Sequence, residues 1–410
     1  MLFIYKILIN IVFIFSPLIL IVRLIKNKED PSRFKEKFGF FSKNKKNGKL
    51  IWFHGASVGE LQSVVPLIER FEKNKSVSQI LITSNTVSSS NIIKKLNLKK
   101  TIHQFFPIDC NFISKKFIDY WKPSKVFFID SEIWPNTINN LSTQKIPIIL
   151  LNGRITKKTL RRWLIFTNFA KLLFKKFQIC FSSSLESKRY LKKLGAKNTK
   201  FFGNLKFSQS ENESLKLDES VRKFIKSKYS WCASSTHYSE EKFCGLTHLK
   251  LSKKYKNLLT IIIPRHIGRV KSIENELSKL NLKIHLDEPK KRISPDTSIY
   301  LVNSYGKTKL FYKECKNIFL GGSIINHGGQ NPLEAARYGC KVFHGPNISN
   351  FKEIYDFLKN KRLSKKITNH NNLADLLDVT FKKKNHPKQI SRSLYLIGKN
   401  ILNKTYKEIC

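Results

Sequence analysis

The sequence predicts an α/β protein of two doubly wound domains behind an apolar N-terminal helix, and three observations predict it. From Leu50 onward, short continuous apolar runs alternate with stretches of helical periodicity, as parallel strands covered by helices on both faces require. The alternation breaks once, in the polar and acidic stretch SQSENESLKLDE (208–219), and then resumes, which marks an interdomain linker. Ahead of both sets, MLFIYKILINIVFIFSPLILIV (1–22) is almost entirely apolar, interrupted by Lys6 and Asn10.

As a helix that N-terminal run measures roughly 33 Å, enough to cross a hydrocarbon core of about 30 Å. No small-residue cleavage site follows it. Arg23, Lys26 and Lys28 come next, so the segment reads as a retained membrane anchor, 1–25, either single-pass or monotopic. These charges and the run RFKEKFGFFSKNKKNGK (33–49) favour a body on the cytoplasmic side, and Phe34, Phe38, Phe40 and Phe41 among lysines suit an anionic bilayer surface.

The first domain, 26–208, takes its strands from LIWFH (50–54), QILIT (79–83), TIHQFF (101–106), KVFFID (125–130), IPIILL (146–151), QICFSS (178–183) and KFFG (200–203). LQSVVPLIERFEK, SSSNIIKKL and NFISKKFIDYW supply helices between them. The second domain, 209–385, takes SWCAS (230–234), LLTIII (258–263), LKIHL (282–286), SIYLV (298–302), NIFLGG (317–322) and KVFHG (341–345). NNLADLLDVTFKK and ISRSLYLIGKNILNKTY are further helical patterns, the second forming a C-terminal helix within 386–410. Two such domains side by side are expected to leave a cleft lined by the carboxyl ends of both sheets, where ligands of these folds bind.

Composition bounds the partners. The 76 Lys and Arg against 29 Asp and Glu leave a net charge of +47, a field that favours phosphorylated substrates, anionic lipid or nucleic acid. Lys, Asn, Ile and Phe are over-used and Met occurs once, so A/T-rich coding on a solvated surface accounts for part of that charge. No nucleic-acid-binding signature accompanies it, and nucleic acid is not an expected partner. The seven cysteines are scattered singly, which fits reduced thiols, and no histidine pair has ligand spacing; neither a metal nor another cofactor is expected.

Polar residues of interest fall where the strands end. In HGASVGE (54–60), Glu60 opens a helix, as a complement to its dipole or as a general base kept ionised by it. In IDSEIWPN (129–136), Asp130 and Glu132 form an acidic turn, readable as a helix cap or as half of a metal site with no third ligand in view. LNGRIT (151–156) and GNLKF (203–207) place Arg154 and Lys206 beside glycine turns. IIIPRH (261–266) ends a strand with Pro264 and Arg265, a planar cation suited to phosphate. In HGGQNPLEAARYG (327–339), Asn331 is a candidate N-cap, Pro332 suits the first helical position, and Glu334 completes a capping box. The glycines ahead of it, Gly321, Gly322, Gly328 and Gly329, would let a ligand approach bare backbone.

Taken in order, HGASVGE, SEIWPN, LNGRIT, GNLKF, ASSTHYSEE, IIIPRH and GGSIINHGGQNPLEAARYG resemble the motifs of the Kdo (3-deoxy-D-manno-octulosonic acid) transferase family, and KNKEDPSRFKEKFG resembles its basic entry motif. The resemblance runs from the anchor to about Glu353 and weakens in the lysine-rich tail. It implies a GT-B architecture and metal-independent, inverting transfer of Kdo from CMP-Kdo to the lipid A precursor, lipid IVA, at the cytoplasmic face of the inner membrane. It also implies that Glu60 is the proton acceptor, that Asp130, Glu132 and Lys206 stabilise the transition state, and that Pro264, Arg265, Tyr305, Gly306, Lys307 and Asn331, Pro332, Leu333, Glu334 bind CMP. The glycines would let CMP lie against the backbone, the helix end would face its phosphate, and Glu334 would accept the ribose hydroxyls. Asp130 stands where the family has glutamate, and Gly55 and Gly153 are further departures. The alternative reading is another GT-B nucleotide-sugar transferase or epimerase of cell-envelope synthesis.

Overall fold

A computed structural model describes residues 1–209, 216–288, 291–382 and 387–410; residues 210–215 of the expected linker lie outside them. The chain divides into unit 1, Met1–Ser210 with Ile397–Cys410, and unit 2, Glu211–Leu396.

Unit 1 is built on β1 (Leu50–His54), β2 (Gln79–Ser84), β3 (Thr101–Phe105), β4 (Lys125–Ile129), β5 (Ile148–Gly153), β6 (Ile179–Ser182) and β7 (Thr199–Lys200). They form one sheet in the order β3-β2-β1-β4-β5-β6-β7, every pairing parallel. The apolar runs become strands buried on both faces. Trp52, Phe53, Phe127 and Phe128 are fully buried, and the rings of Phe53 and Phe127 stack at 4.6 Å. Truncating any of these rings to alanine is expected to cost about 3–5 kcal/mol. The strand order reverses between β1 and β4, which puts the loops after these two strands at the switch point where doubly wound sheets bind ligands.

Unit 2 repeats the plan with β8 (Tyr229–Thr236), β9 (Leu258–Pro264), β10 (Ile284–Leu286), β11 (Ile299–Leu301), β12 (Asn317–Leu320), β13 (Lys341–His344) and β14 (Ser364–Lys366). Their order is β10-β11-β9-β8-β12-β13-β14, again all parallel, with the reversal between β8 and β12.

The N-terminal run is a helix, Leu2–Ile25, with a mean hydropathy of 2.5 in its most apolar window; by length and composition it could cross a membrane. Pro17 deprives the Phe13 carbonyl of its helical donor, and the Ser16 hydroxyl donates to that carbonyl at 2.7 Å instead. The helix does not stand clear of unit 1. The Tyr5 hydroxyl donates to Asp109 at 2.9 Å, Phe13 packs edge-on against Phe38 and Phe112, and Arg23 pairs with the buried Glu29 at 2.5 Å.

Part of the basic entry segment is used inside the fold, while Lys35, Phe40, Lys43, Lys46 and Lys49 stay exposed. Arg33 forks onto Glu36 at 2.8 and 3.0 Å, and Glu36 accepts the N–H of Phe105 at 2.6 Å, covering the outer edge of β3. Phe41 stacks on Tyr120 at 3.8 Å, and of the four phenylalanines only Phe40 is exposed. Arg33, Glu36 and Lys37 are paired within the protein and three of the four rings pack, as suits a segment that covers an open strand edge.

The C-terminal helix, Pro387–Ile409, returns to unit 1 with its last turns, where Tyr406 packs on Phe71 at 5.3 Å and Lys200 pairs with Glu408 at 2.5 Å.

Candidate active site in two half-sites

In unit 1, β1 ends at His54 and a turn leads into the helix Val58–Lys73, whose N-cap is Ser57. The Ser57 hydroxyl accepts the N–H of Glu60 at 3.4 Å, and the Glu60 carboxylate accepts from Ala56 N–H at 2.7 Å and Ser57 N–H at 3.3 Å. This is a reciprocal capping box. The cap and the candidate base are therefore one side chain, fixed by main-chain donors. Burial pushes the Glu60 carboxyl up to about 7, and the negative charges of Glu132 and Asp130 add to the effect, while the hydrogen bonds from Ser57 and Ala56 oppose it. The helix end alone, invoked above to keep Glu60 ionised, is outweighed. A base poised near neutrality is the better catalyst, because its affinity for a proton is higher.

The acidic turn after β4 is braced from β1 and β2. Glu132 accepts from the Trp134 indole at 2.9 Å and faces His54 Nε2 at 3.3 Å. His54 is fully buried, stacks on Phe106 at 3.9 Å, and places Nδ1 2.9 Å from the Thr83 hydroxyl, which also accepts the Trp52 indole N–H at 2.8 Å. The Thr83 hydroxyl can donate to Nδ1, which leaves the proton on Nε2 to donate to Glu132; that tautomer satisfies all three groups.

Asp130 adopts φ 60°, a left-handed conformation that aspartate tolerates, and is buried. Burial raises its carboxyl and the neighbouring charges of Lys206 and Arg154 pull it down. Lys206 lies on a short turn held by two asparagines: Asn152 accepts the N–H of Leu205 at 3.1 Å and Asn204 that of Lys206 at 2.9 Å. Glu60, Asp130, Glu132 and Lys206 thus come together at one edge of one sheet, around its switch point. Among the described residues no group of three or more His, Cys, Asp or Glu side chains is placed to hold a metal ion.

Unit 2 places its polar residues at the matching edge. Pro264 closes β9, and the Arg265 N–H donates to Thr236 O at 2.9 Å, leaving the guanidinium on an exposed residue. The glycine loop differs from its expected form. Gly321 packs against the Ser235 backbone with no room for a Cβ, and Gly322 takes φ +65°. The N–H groups of Gly322, Ser323 and Ile324 donate at 2.7, 3.1 and 3.0 Å to Glu240, which also accepts His237 N–H at 3.0 Å. These loop donors, on backbone expected to lie open to a ligand, are engaged by a fully buried carboxylate that ties β8 to β12.

The following helix is only Leu333–Arg337, with Pro332 in the capping position, in place of the expected Asn331 cap. The Asn331 side chain accepts the N–H of Leu333 at 3.1 Å, a two-residue bond that asparagine makes in turns. Pro332 and Leu333 are buried, so their part in any ligand site is to set the backbone. Glu334 is partly exposed, and its charge reaches the buried Tyr312, whose hydroxyl lies 2.8 Å from that of Ser234. Tyr305 is exposed, Gly306 takes φ 87°, and Lys307 pairs with the buried Asp287 at 2.7 Å.

Two residues here were not singled out from sequence. Glu240 and His237 both sit in ASSTHYSEE, where a glutamate in a first helical turn reads as an ordinary dipole partner. His237 Nε2 is buried with no hydrogen-bond partner, and its ring lies 4.4 Å from that of His327 and 5.8 Å from that of His266. Burial, then the charges of His327, His266 and two arginines, lowers its pKa to about 4, so it is neutral at pH 7.

Two all-parallel Rossmann-like units, each with polar residues at the carboxyl edge, give the protein a GT-B architecture. Comparisons agree. The family model for 3-deoxy-D-manno-octulosonic-acid transferase (kdotransferase) matches residues 32–209. The chain is 31% identical over 365 residues to the 3-deoxy-D-manno-octulosonic acid transferase of Rickettsia bellii, covering 88% of this chain and 86% of that one. It is 28% identical to the Haemophilus influenzae enzyme of the same name, covering 82% and 79%. Among solved structures, a Listeria monocytogenes protein described as a UDP-N-acetylglucosamine 2-epimerase aligns with TM-score 0.62 at 11% identity, over 88% of this chain and 98% of that one. Anabaena Alr3699/HepE in complex with UDP aligns with TM-score 0.52 at 10% identity, over 88% and 98%. These two likenesses are of fold alone. The chain belongs to the 3-deoxy-D-manno-octulosonic-acid transferase family and is a glycosyltransferase.

Proposed function

We propose that this protein transfers Kdo from CMP-Kdo to a glucosamine hydroxyl of the lipid A precursor, lipid IVA, with inversion and without a metal, in lipopolysaccharide synthesis at the cytoplasmic face of the inner membrane. The observation that carries the reading is Glu60, a carboxylate fixed by main-chain donors beside two further carboxylates, with its pKa pushed up to about 7. Glu60 removes the hydroxyl proton as that oxygen bonds to the anomeric carbon, and the bond from that carbon to the phosphate oxygen breaks with its electron pair leaving on CMP. Lys206 and Arg265 offset the negative charge that develops. Asp130 and Glu132 hold Lys206 and raise the basicity of Glu60.

Unit 2 supplies the CMP contacts: the Arg265 guanidinium for phosphate, the turn around Tyr305, Gly306 and Lys307, and Asn331 to Glu334 for the nucleoside. Its loop is preorganised by Glu240. The helix Leu2–Ile25 anchors the protein, and the basic surface favours anionic lipids. Incubating the full-length protein with CMP-Kdo and lipid IVA tests the reading. A product heavier by one or more Kdo units, with the anomeric centre inverted by NMR, is expected. Unchanged lipid IVA alongside turnover of a UDP- or GDP-sugar would overturn it.

A further inference from the structure

The helix Leu2–Ile25 carries two unlike faces. The residues that are not exposed are Leu2, Tyr5, Lys6, Ile9, Phe13, Ser16, Leu20, Arg23 and Leu24, which recur at spacings of three and four and so form one stripe. Every other residue from Phe3 to Ile25 is exposed, and all of those are apolar except Asn10. The polar Tyr5, Ser16 and Arg23 thus face the protein while the free face is hydrocarbon.

The stripe is docked along its length. Tyr5 binds Asp109, the Ile9 carbonyl accepts from the Cys110 thiol at 3.6 Å, Phe13 contacts Phe38 and Phe112, and Arg23 pairs with Glu29. Asp109 is no loose surface group. It is buried, and it accepts from the N–H of Asn136 at 3.0 Å and of Thr137 at 2.8 Å, at the start of the helix Pro135–Thr143 that follows the acidic turn. Tyr5 and Arg23 are 18 residues apart, about 27 Å of helix. A helix standing across the bilayer needs about 20 residues within the hydrocarbon. It could not keep those contacts unless the body of unit 1 entered the membrane too, and the exposed Lys115 and Lys116 on the adjoining helix Asn111–Trp121 oppose that.

We infer that Leu2–Ile25 lies in the plane of the membrane as a fixed part of unit 1, with its free face among the acyl chains of one leaflet. The partner is the surface of an anionic bilayer. Phe112, 58% exposed beside Phe13, extends the apolar face, and Lys26, Lys28, Lys115 and Lys116 sit at headgroup level around it. Through Tyr5 and Asp109 this helix also sets the helix behind Glu132 at a fixed distance from the lipid. The inference rests on the anchor reading above and deepens it by deciding between a single-pass and a monotopic helix.

Phe3, Ile14 and Ile25 are 72%, 69% and 76% exposed, and steps of 11 residues put them on one face. In full-length protein carrying Cys410→Ser, the variants Phe3→Cys, Ile14→Cys and Ile25→Cys are labelled with an environment-sensitive fluorophore. The proteins are reconstituted into phosphatidylethanolamine–phosphatidylglycerol vesicles, and depth is read by quenching with lipids brominated at different chain positions. An in-plane helix puts all three probes within about 5 Å of one depth, roughly 5–10 Å below the headgroup boundary. A spanning helix puts Ile14 near the midplane and the ends near opposite surfaces, about 16 Å shallower. A spread above about 10 Å overturns the in-plane assignment and leaves the anchor standing. No quenching at any position overturns the anchor as well.

Discussion

Glu60 makes the sharpest test of the unit 1 site through the pH dependence of the reaction. Its carboxyl is pushed up to about 7, first by burial and then by Glu132 and Asp130. If the ionised form is the base, kcat/KM falls tenfold per pH unit below that value, to about 1% of its plateau at pH 5. Phosphates on the acceptor also titrate near pH 6–7, so the position of this limb alone would not assign it. The structure supplies the control. Glu132→Gln removes the larger of the two neighbouring charges that raise Glu60 and preserves the hydrogen-bonding shape of the side chain, so the limb should move to lower pH. A limb set by substrate would stay where it is. Rates are followed by CMP release from pH 5 to 9 with acceptor below KM. A stationary limb in Glu132→Gln, or more than half of wild-type turnover in Glu60→Gln, refutes the assignment. Stability runs in the opposite sense. A carboxyl whose folded pKa is raised favours the fold below its unfolded pKa and loses that contribution as pH rises through about 7. Glu60→Gln should therefore unfold no earlier than wild type at pH 8, which separates lost chemistry from lost structure.

Glu240→Ala should destabilise unit 2 by about 3–5 kcal/mol in denaturant titration and abolish CMP binding, because four main-chain donors lose their acceptor. Glu334→Ala should weaken CMP binding about 10–100-fold by calorimetry while binding 2′,3′-dideoxy-CMP nearly as wild type does; equal losses for both ligands would leave Glu334 without a ribose contact. Deleting residues 1–23 should release much of the protein from vesicles, with residual binding falling as salt is added. It should also lower the thermal stability of unit 1, since Asp109, Cys110 and Phe112 lose the helix that contacts them.

The sequence was most legible where one segment's pattern decides its structure. LIWFH becomes β1 at the expected bounds and KVFFID becomes β4 to within a residue, because continuous apolar runs have one stable use in a sheet covered on both faces. The strand expected at KFFG (200–203) is instead the two-residue β7, Thr199–Lys200, which shares only Lys200 with it, and Ser364–Lys366 joins the other sheet unannounced; both are edge strands, which need no apolar run to be held. At the candidate site, the Glu60 cap was readable because the capping box is a local motif. Glu240 was not, because its partners at Gly322, Ser323 and Ile324 lie more than 80 positions away. The stripe of Tyr5, Phe13, Ser16 and Arg23 was present in the sequence, but what it faces is fixed by the fold.

Charge gives a last step. With 76 basic and 29 acidic residues, composition alone makes a given lysine uninformative and leaves the carboxylates as the scarcer charge. Among the described residues no lysine or arginine is buried, whereas Glu29, Glu36, Asp109, Asp130, Glu240, Glu241 and Asp287 all are. Burying a carboxylate is costly unless donors or cations complement it, so each marks a place where the fold is organised around a negative charge. Glu29 and Asp109 hold the N-terminal helix, Glu36 covers a sheet edge, Glu240 shapes the glycine loop, and Asp130 stands beside Lys206 and Arg154. Biased coding can fill a surface with lysine, but it cannot place carboxylates in the interior. In this protein the scarce acids, more than the abundant bases, trace where the N-terminal helix, the glycine loop and the candidate catalytic edge are built.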